Sequence, residues 1–155
     1  MPPRKKKEPA VTAEVRNWYE SMPTEFLDKK IKNPNEHIHH FSIPFRAVVV
    51  APSGSGKSNF ITDLIHKFSH GDGTFASIDI ICKDASEPLY KYLKSKSESI
   101  SVKEGIHNLP SLDKYDKDVA HLVVVDDCQL DKDLDRVCQY YIRCRKKSVS
   151  ILFLA

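Results

Sequence analysis

Long apolar runs are missing from this sequence. Of its 155 residues, 41% are hydrophobic and 29% are charged, but no apolar stretch approaches the roughly 18–20 residues that a membrane-spanning helix requires. The basic run at residues 4–7 (RKKK) is not followed by an apolar segment, which argues against a signal peptide. We therefore predict an intracellular protein, neither secreted nor membrane-spanning, that is long enough to form one domain with a hydrophobic core.

Paired cysteines and a strong net charge are also missing. The four cysteines include no C-x-x-C pair, which favours reduced thiols over disulfides or a zinc site. The formal net charge of +3 is too small to indicate a nucleic-acid partner by itself. Positive charge is concentrated at residues 4–7 and 143–147, and each cluster either contacts phosphates or is simply solvated.

The first 40 residues are interpreted as a basic, partly disordered extension. Residues 1 to about 15 are polar and contain proline, which predicts disorder. Residues 18–31 predict a short helix with Trp18, Phe26 and Leu27 as its buried side chains. The following HIHH (37–40) is predicted to be extended, and it is either a metal site or a polar strand edge.

From residue 41 to Ala155, strand patterns alternate with helix patterns. Strands are predicted at 47–50, 76–82, 100–103 (an edge strand), 121–126 and 149–154, and helices at 58–68, 86–96 and 134–143. Because helices that separate strands imply parallel pairing, the predicted fold is a three-layer α/β domain with a mainly parallel sheet. Its core is expected to end incomplete, since Ala155 directly follows a buried-strand pattern.

Three local expectations accompany this fold. The strand at 47–50 is a continuous apolar run, as expected of a strand buried on both faces. Ser86 is the predicted N-cap of the second helix, with Pro88 in its first turn. The first helix is expected to bury one apolar stripe, made by Phe60, Ile61, Leu64, Ile65 and Phe68.

The stretch APSGSGKS (51–58) joins the first strand of this region to its first helix. It fits a phosphate-binding loop in which Ala51 replaces the usual first glycine. Small residues let successive backbone N–H groups turn towards phosphate oxygens, and the helix N-terminus favours the same anion. We predict that Lys57 reaches the β- and γ-phosphates and that Ser58 offers its hydroxyl to Mg²⁺. The predicted nucleotide-binding residues are Pro52, Ser53, Gly54, Ser55, Gly56, Lys57, Ser58 and Asn59.

The strand pattern HLVVVDD ends in two acids, Asp126 and Asp127. If this strand lies beside the phosphate loop, Asp126 is placed to hold Mg²⁺ with Ser58. Asp127 is then placed to orient the attacking water as general base, or alternatively it caps the following helix. Lys57, Asp126 and Asp127 are thus the predicted catalytic residues of an ATPase. ATP with Mg²⁺ is the expected ligand, since no Asn/Thr-Lys-x-Asp guanine-recognition motif follows.

Four segments in this order resemble the genome-packaging ATPases of the FtsK–HerA superfamily, found in poxviruses, other large DNA viruses and virophages. They are VVVAPSGSGKSNFITDLI, FASIDIICKDASEPLYKYL, HLVVVDDCQ and YYIRCRKKSVSILFLA. The resemblance implies a RecA-like P-loop NTPase. It further implies a homo-oligomeric ring that drives double-stranded DNA into a capsid at virion assembly sites in the host cytoplasm or nucleus.

The resemblance also concerns the basic segment before the last strand. Arg143 or Arg145 matches a position that acts on a neighbour's γ-phosphate or on DNA, the alternative being a solvated helix end. The family's polar sensor residue is expected after the last strand, where this chain stops.

Two other classes of function stay open on the sequence. One is a different P-loop enzyme, such as a helicase or a small-molecule kinase that uses segment 103–120 as a lid. The other is a nucleotide-binding assembly protein, in which ATP stabilises a ring and turnover is incidental.

Overall fold

The computed structural model describes residues 15–128 and 132–155, and the predicted disordered segment lies almost wholly outside this range. The chain divides after Lys30 into two units. In the described part of the first, two 3₁₀ turns, Trp18–Ser21 and Thr24–Phe26, replace the predicted helix. The predicted burial of Trp18, Phe26 and Leu27 is wrong, because every described residue of this unit is exposed and short 3₁₀ turns form no continuous apolar face.

The second unit, which begins at Ile31, is an α/β structure built on one parallel sheet. Its described helices are α1 (Glu36–His39), α2 (Lys57–Phe68), α3 (Pro88–Lys96) and α4 (Leu134–Arg143). Its described strands are β1 (Arg46–Val49), β2 (Ser77–Cys82), β3 (Ile100–Glu104), β4 (His121–Asp126) and β5 (Val149–Leu154). The strands lie in the order β1-β5-β4-β2-β3, and every neighbouring pair is parallel.

Helices pack on both faces of the sheet, an arrangement compatible with a three-layer α/β fold. Side chains of α2 and α3 form one buried cluster with the sheet, and α4 contributes to a second cluster on strand residues of opposite parity. The predicted bounds of β4, α4 and β5 are confirmed, and β3 is an edge strand as predicted. Among the described residues, no helix is long and apolar enough to cross a bilayer.

The prediction that the first strand is buried on both faces is wrong. Ala47 and Val49 pack against the α2 side of the sheet, but Val48 is 56% exposed. The reason is topological, because β1 lies at the edge of the described sheet and none of its residues belongs to the buried cluster on the α4 face. An apolar run alone does not distinguish an inner strand from an edge strand.

Two predictions about the helices are also corrected. Phe60 is 44% exposed, so the buried stripe of α2 consists of Ile61, Leu64, Ile65 and Phe68. The N-cap residue of α3 is Glu87, whereas the Ser86 N–H instead donates to Asp84 Oδ1 at 2.8 Å.

The predicted extended HIHH segment is wrong as well, because residues 36–39 form α1. The buried His39 ring bonds to Asn33 and Thr74 within the protein. Among the described residues, no group of three His, Cys, Asp or Glu side chains is arranged to hold a metal ion.

Candidate functional site

The carboxyl ends of parallel strands meet along one edge of a sheet, which is where α/β proteins bind ligands. Loop 51–56 follows β1 at this edge, and Asp126 and Asp127 close β4. On the sequence alone, we considered a β4 that lies directly beside the loop. In the structure the two are separated, because β5 lies between β1 and β4. The end of β5 bonds to both sides: the Ala51 N–H donates to the Ala155 carbonyl at 2.9 Å, and the Asp127 N–H donates to the Leu154 carbonyl at 3.2 Å.

The phosphate loop has an open, glycine-dependent backbone. Gly54 and Gly56 have φ angles of 76° and 91°, in the left-handed region that other residues rarely adopt. Apart from its chain neighbours, a Cβ added to either glycine would meet no atom of the described residues within 4 Å. The predicted binding residues Pro52, Ser53, Ser55 and Asn59 are exposed. The loop can therefore accept a ligand that approaches the backbone closely.

Lys57 is the first residue of α2 and spans the loop. Its Nζ donates to the Ala51 carbonyl at 2.7 Å, which joins the two ends of the loop. An ammonium group carries three N–H donors, so two more are left for an anion. Its charge also reaches Asp126, where it opposes the rise in pKa that burial causes.

Asp126 is a buried carboxylate with only one of its oxygens satisfied. Its side chain is 6% exposed, and Oδ2 accepts a hydrogen bond from the Tyr90 hydroxyl. Oδ1 has no hydrogen-bond partner among the described residues. Burial raises the pKa of Asp126, and Tyr90 and Lys57 act in the opposite direction. An incompletely satisfied buried carboxylate is costly, and a cation is the natural partner for it.

Ser58 is the second predicted metal ligand, and it contacts a second acid. Its Oγ donates to Glu87 Oε1 at 3.2 Å. The half-buried Ser58 hydroxyl and the Asp126 carboxylate fit Mg²⁺, which prefers oxygen ligands. Mg²⁺ is usually held by one or two carboxylates together with substrate phosphates, so it does not need a cluster of three protein acids.

Asp127 is exposed and has a left-handed backbone with φ 54°. This conformation is rare outside glycine, although Asp adopts it more readily than most residues do. It turns the chain sharply away from β4 directly after Asp126. The roles of general base and helix cap both stay predictions for Asp127.

Two residues near this site escaped the sequence analysis: Glu87 and Tyr90. They lie at the start of α3, and they contact Ser58 and Asp126 respectively. The available signal was an acid and a tyrosine three positions apart, at the start of the helix that follows β2. That signal can be interpreted only when β2, the strand before α3, is known to pair with β4, the strand that ends in Asp126.

Arg143 and Arg145 are not brought to this site. α4 runs back from the carboxyl end of β4 to the start of β5, so its last residue, Arg143, lies towards the opposite edge of the sheet from the phosphate loop. Arg145 lies in the 3₁₀ turn Cys144–Lys147, directly before β5. Both side chains are exposed. The topology therefore places neither arginine at the phosphate loop of its own chain.

Comparison of the chain with protein-family models, curated proteins and solved structures gives no significant match.

Proposed function

We propose that this protein is a Mg²⁺-dependent ATPase of the P-loop class and that it works as a motor on double-stranded DNA, as its resemblance to FtsK–HerA packaging ATPases implies. The observation that carries the ATPase proposal is the carboxyl edge of the sheet. There, an open loop with two left-handed glycines precedes Lys57, and Asp126 closes the strand two positions away with a buried oxygen that has no partner in the described part of the chain.

The proposed chemistry assigns one task to each side chain. Loop N–H groups and Lys57 bind the β- and γ-phosphate oxygens, while Ser58 and Asp126 hold the cation. Bound Mg²⁺ supplies positive charge to the phosphate oxygens of the transferred group. Asp127 accepts a proton from the attacking water at a carboxylate oxygen, and its exposure leaves it accessible to that water.

The DNA part of the proposal draws support from a basic cavity beside the end of α4. The cavity has a volume of about 780 Å³, and its charged lining residues are Arg136, Arg143, Lys146, Lys147, Asp113 and Asp135. Lys147 is paired with Asp113 at 3.0 Å. Cationic side chains grouped on an exposed face are suited to phosphate contacts.

The kinase alternative needs a lid over the nucleotide, and segment 103–120 has no lid-like character. Ile106, Leu109 and Tyr115 are buried in the α4-side cluster. The Tyr115 hydroxyl donates to the buried Asp79 at 2.8 Å. A segment anchored in this way is part of the core, so no observation favours a kinase over a motor.

The test is ATP turnover by the full chain with and without linear double-stranded DNA, beside Lys57→Ala. We expect turnover that DNA stimulates and that the variant lacks. Turnover indifferent to DNA supports the ATPase and removes the motor. ATP binding without turnover favours the nucleotide-stabilised assembly protein, and no ATP binding removes the proposal altogether.

The double variant Arg143→Ala/Arg145→Ala separates the two roles of the arginines. Loss of DNA stimulation with unchanged basal turnover indicates a DNA contact, and the salt dependence of DNA binding should then weaken as well. An arginine that acts on a neighbour's phosphate predicts a different result. Basal turnover should then be lost in the double variant and restored in mixed assemblies by small amounts of a Lys57→Ala subunit, which still carries both arginines.

A further inference from the structure

The first turn of α3 contacts both residues proposed to hold the cation. The Glu87 carboxylate accepts from Ser58 Oγ at 3.2 Å, and the Tyr90 hydroxyl donates to Asp126 Oδ2. The Tyr90 N–H also donates to the Glu87 carbonyl at 3.1 Å, so a backbone hydrogen bond fixes the two residues relative to each other. One rigid turn thus connects α2 to the end of β4.

Each contact occupies some atoms of a proposed cation ligand and leaves the others available for the cation. A serine hydroxyl has one donor and two acceptor lone pairs, so donation to Glu87 leaves the lone pairs of Ser58 for other partners. At Asp126 the Tyr90 hydroxyl occupies Oδ2, while Oδ1 has no partner among the described residues. Hydrogen bonds of this kind orient metal ligands and tune their affinity.

We propose that Glu87 and Tyr90 are positioning residues of a divalent-cation site, Glu87 acting through the Ser58 hydroxyl and Tyr90 through Asp126. The inference rests on the proposed function, because the cation is the one that accompanies the nucleotide. Glu87 adds a second negative charge near the site, and this charge strengthens the attraction for a divalent ion. The preferred ion is small and hard, as expected from an all-oxygen environment.

A purely structural role is the competing explanation. Tyr90 is 1% exposed and ranks among the largest fully buried side chains, so its hydroxyl bond could serve only to attach α3 to β4. Glu87 is only half-buried, and its side chain makes no capping bond to α3. Replacing Glu87 therefore tests the cation site with little disturbance of the core.

The test measures Mn²⁺ binding to the full chain in the presence of saturating ADP, by the electron paramagnetic resonance signal of free Mn²⁺. The variants are Glu87→Gln and Tyr90→Phe, each of which keeps the shape of the side chain. Their controls are Glu98→Gln, at an exposed position after α3, and Tyr92→Phe, a tyrosine of the same helix that is 53% exposed. We expect each test variant to weaken Mn²⁺ binding by about tenfold or more, and the controls to match the parent.

A second readout is ADP binding in EDTA, which a cation-positioning role leaves within about twofold of the parent. Mn²⁺ affinity unchanged in Glu87→Gln overturns the inference, and that variant decides the matter if Tyr90→Phe does not fold. Equal weakening of ADP binding with and without the ion also overturns it, because the loss is then not specific to the cation. A parent chain that binds no ADP overturns the proposed function first, so the two failures are distinguishable.

Discussion

Lys57 Nζ and the carbonyl of Ala51 are 2.7 Å apart, so the lysine that opens α2 bridges the two ends of the phosphate loop. Burial raises the pKa of Asp126, and the Lys57 ammonium acts in the opposite direction, so its charge is felt at the end of β4. Lys57 is therefore the cation shared by the loop and the acid. The effect of replacing it is the most direct test of the site.

Lys57→Ala should reduce ATP turnover by at least about a hundredfold, since it removes the charge that meets the phosphates and the bond that closes the loop. Titration with a fluorescent ATP analogue and phosphate release measure binding and turnover separately. Lys67→Ala is the matched control on the same helix, where Lys67 pairs with the exposed Asp63 at 2.9 Å. Normal turnover in Lys57→Ala would contradict the site assignment.

Asp127→Asn should leave ATP bound but stop its hydrolysis. The amide keeps the shape of the side chain and its tolerance of the left-handed backbone, but it cannot accept a proton from water. Single-turnover phosphate release and nucleotide affinity should therefore diverge, with the rate falling by a factor of about 10²–10⁴. Full activity would instead identify Asp127 as a helix-capping residue.

Gly56→Ala should lower the stability of the fold and, in addition, weaken ATP binding. At a φ of 91° an alanine is strained, which costs about 1–2 kcal/mol of unfolding free energy. Apart from its chain neighbours, an added Cβ meets no atom of the described residues within 4 Å, so any further loss of affinity reports a ligand against the loop. Gly71→Ala is the control, with φ 57° and equally open space in the turn after α2. Calorimetric unfolding and ATP titration of both variants provide the comparison, and equal ATP affinity would argue against the loop as the binding site.

Acidification below neutral pH should destabilise the protein, in part through His39. Its Nδ1 accepts the Phe41 N–H at 3.0 Å and must be unprotonated to do so. Burial lowers the pKa of His39, with a smaller opposing effect from Glu36. The unfolded chain therefore takes up the proton near pH 6.5, before the folded protein does, and stability falls as the pH drops through that value.

One histidine changes the free energy of unfolding by at most about 1.4 kcal/mol per pH unit. Urea unfolding between pH 8 and pH 5 should show a shallower pH dependence for His39→Gln than for the parent. The exposed His66→Gln is the control and should keep the parent's slope. His121, whose pKa burial also lowers, accounts for part of the slope that is left. Identical slopes in all three proteins would show that His39 does not contribute.

Local sequence patterns determined the strands of the second unit and the helices α2, α3 and α4, but not the short helix α1. Strand β4 has a continuous apolar centre and is buried along its whole length, α4 alternates buried and exposed residues with helical spacing, and both have the bounds that the sequence predicts. The glycine-containing loop between β1 and α2 was equally recognisable, because glycines and a lysine between a strand and a helix constitute a local arrangement, and its phosphate binding stays a prediction. Periodicity and motif spacing depend only on neighbours along the chain, which is why they can be recognised without a structure.

Only the tertiary structure decided the strand order and the contacts that follow from it. The exposure of Val48 depends on β1 lying at the edge of the described sheet, and the position of the double acid depends on β5 lying between β1 and β4. Glu87 meets Ser58 across 29 residues, and Tyr90 meets Asp126 across 36. No local pattern encodes such separations, because they arise from the packing of helices against a sheet whose strand order differs from the chain order.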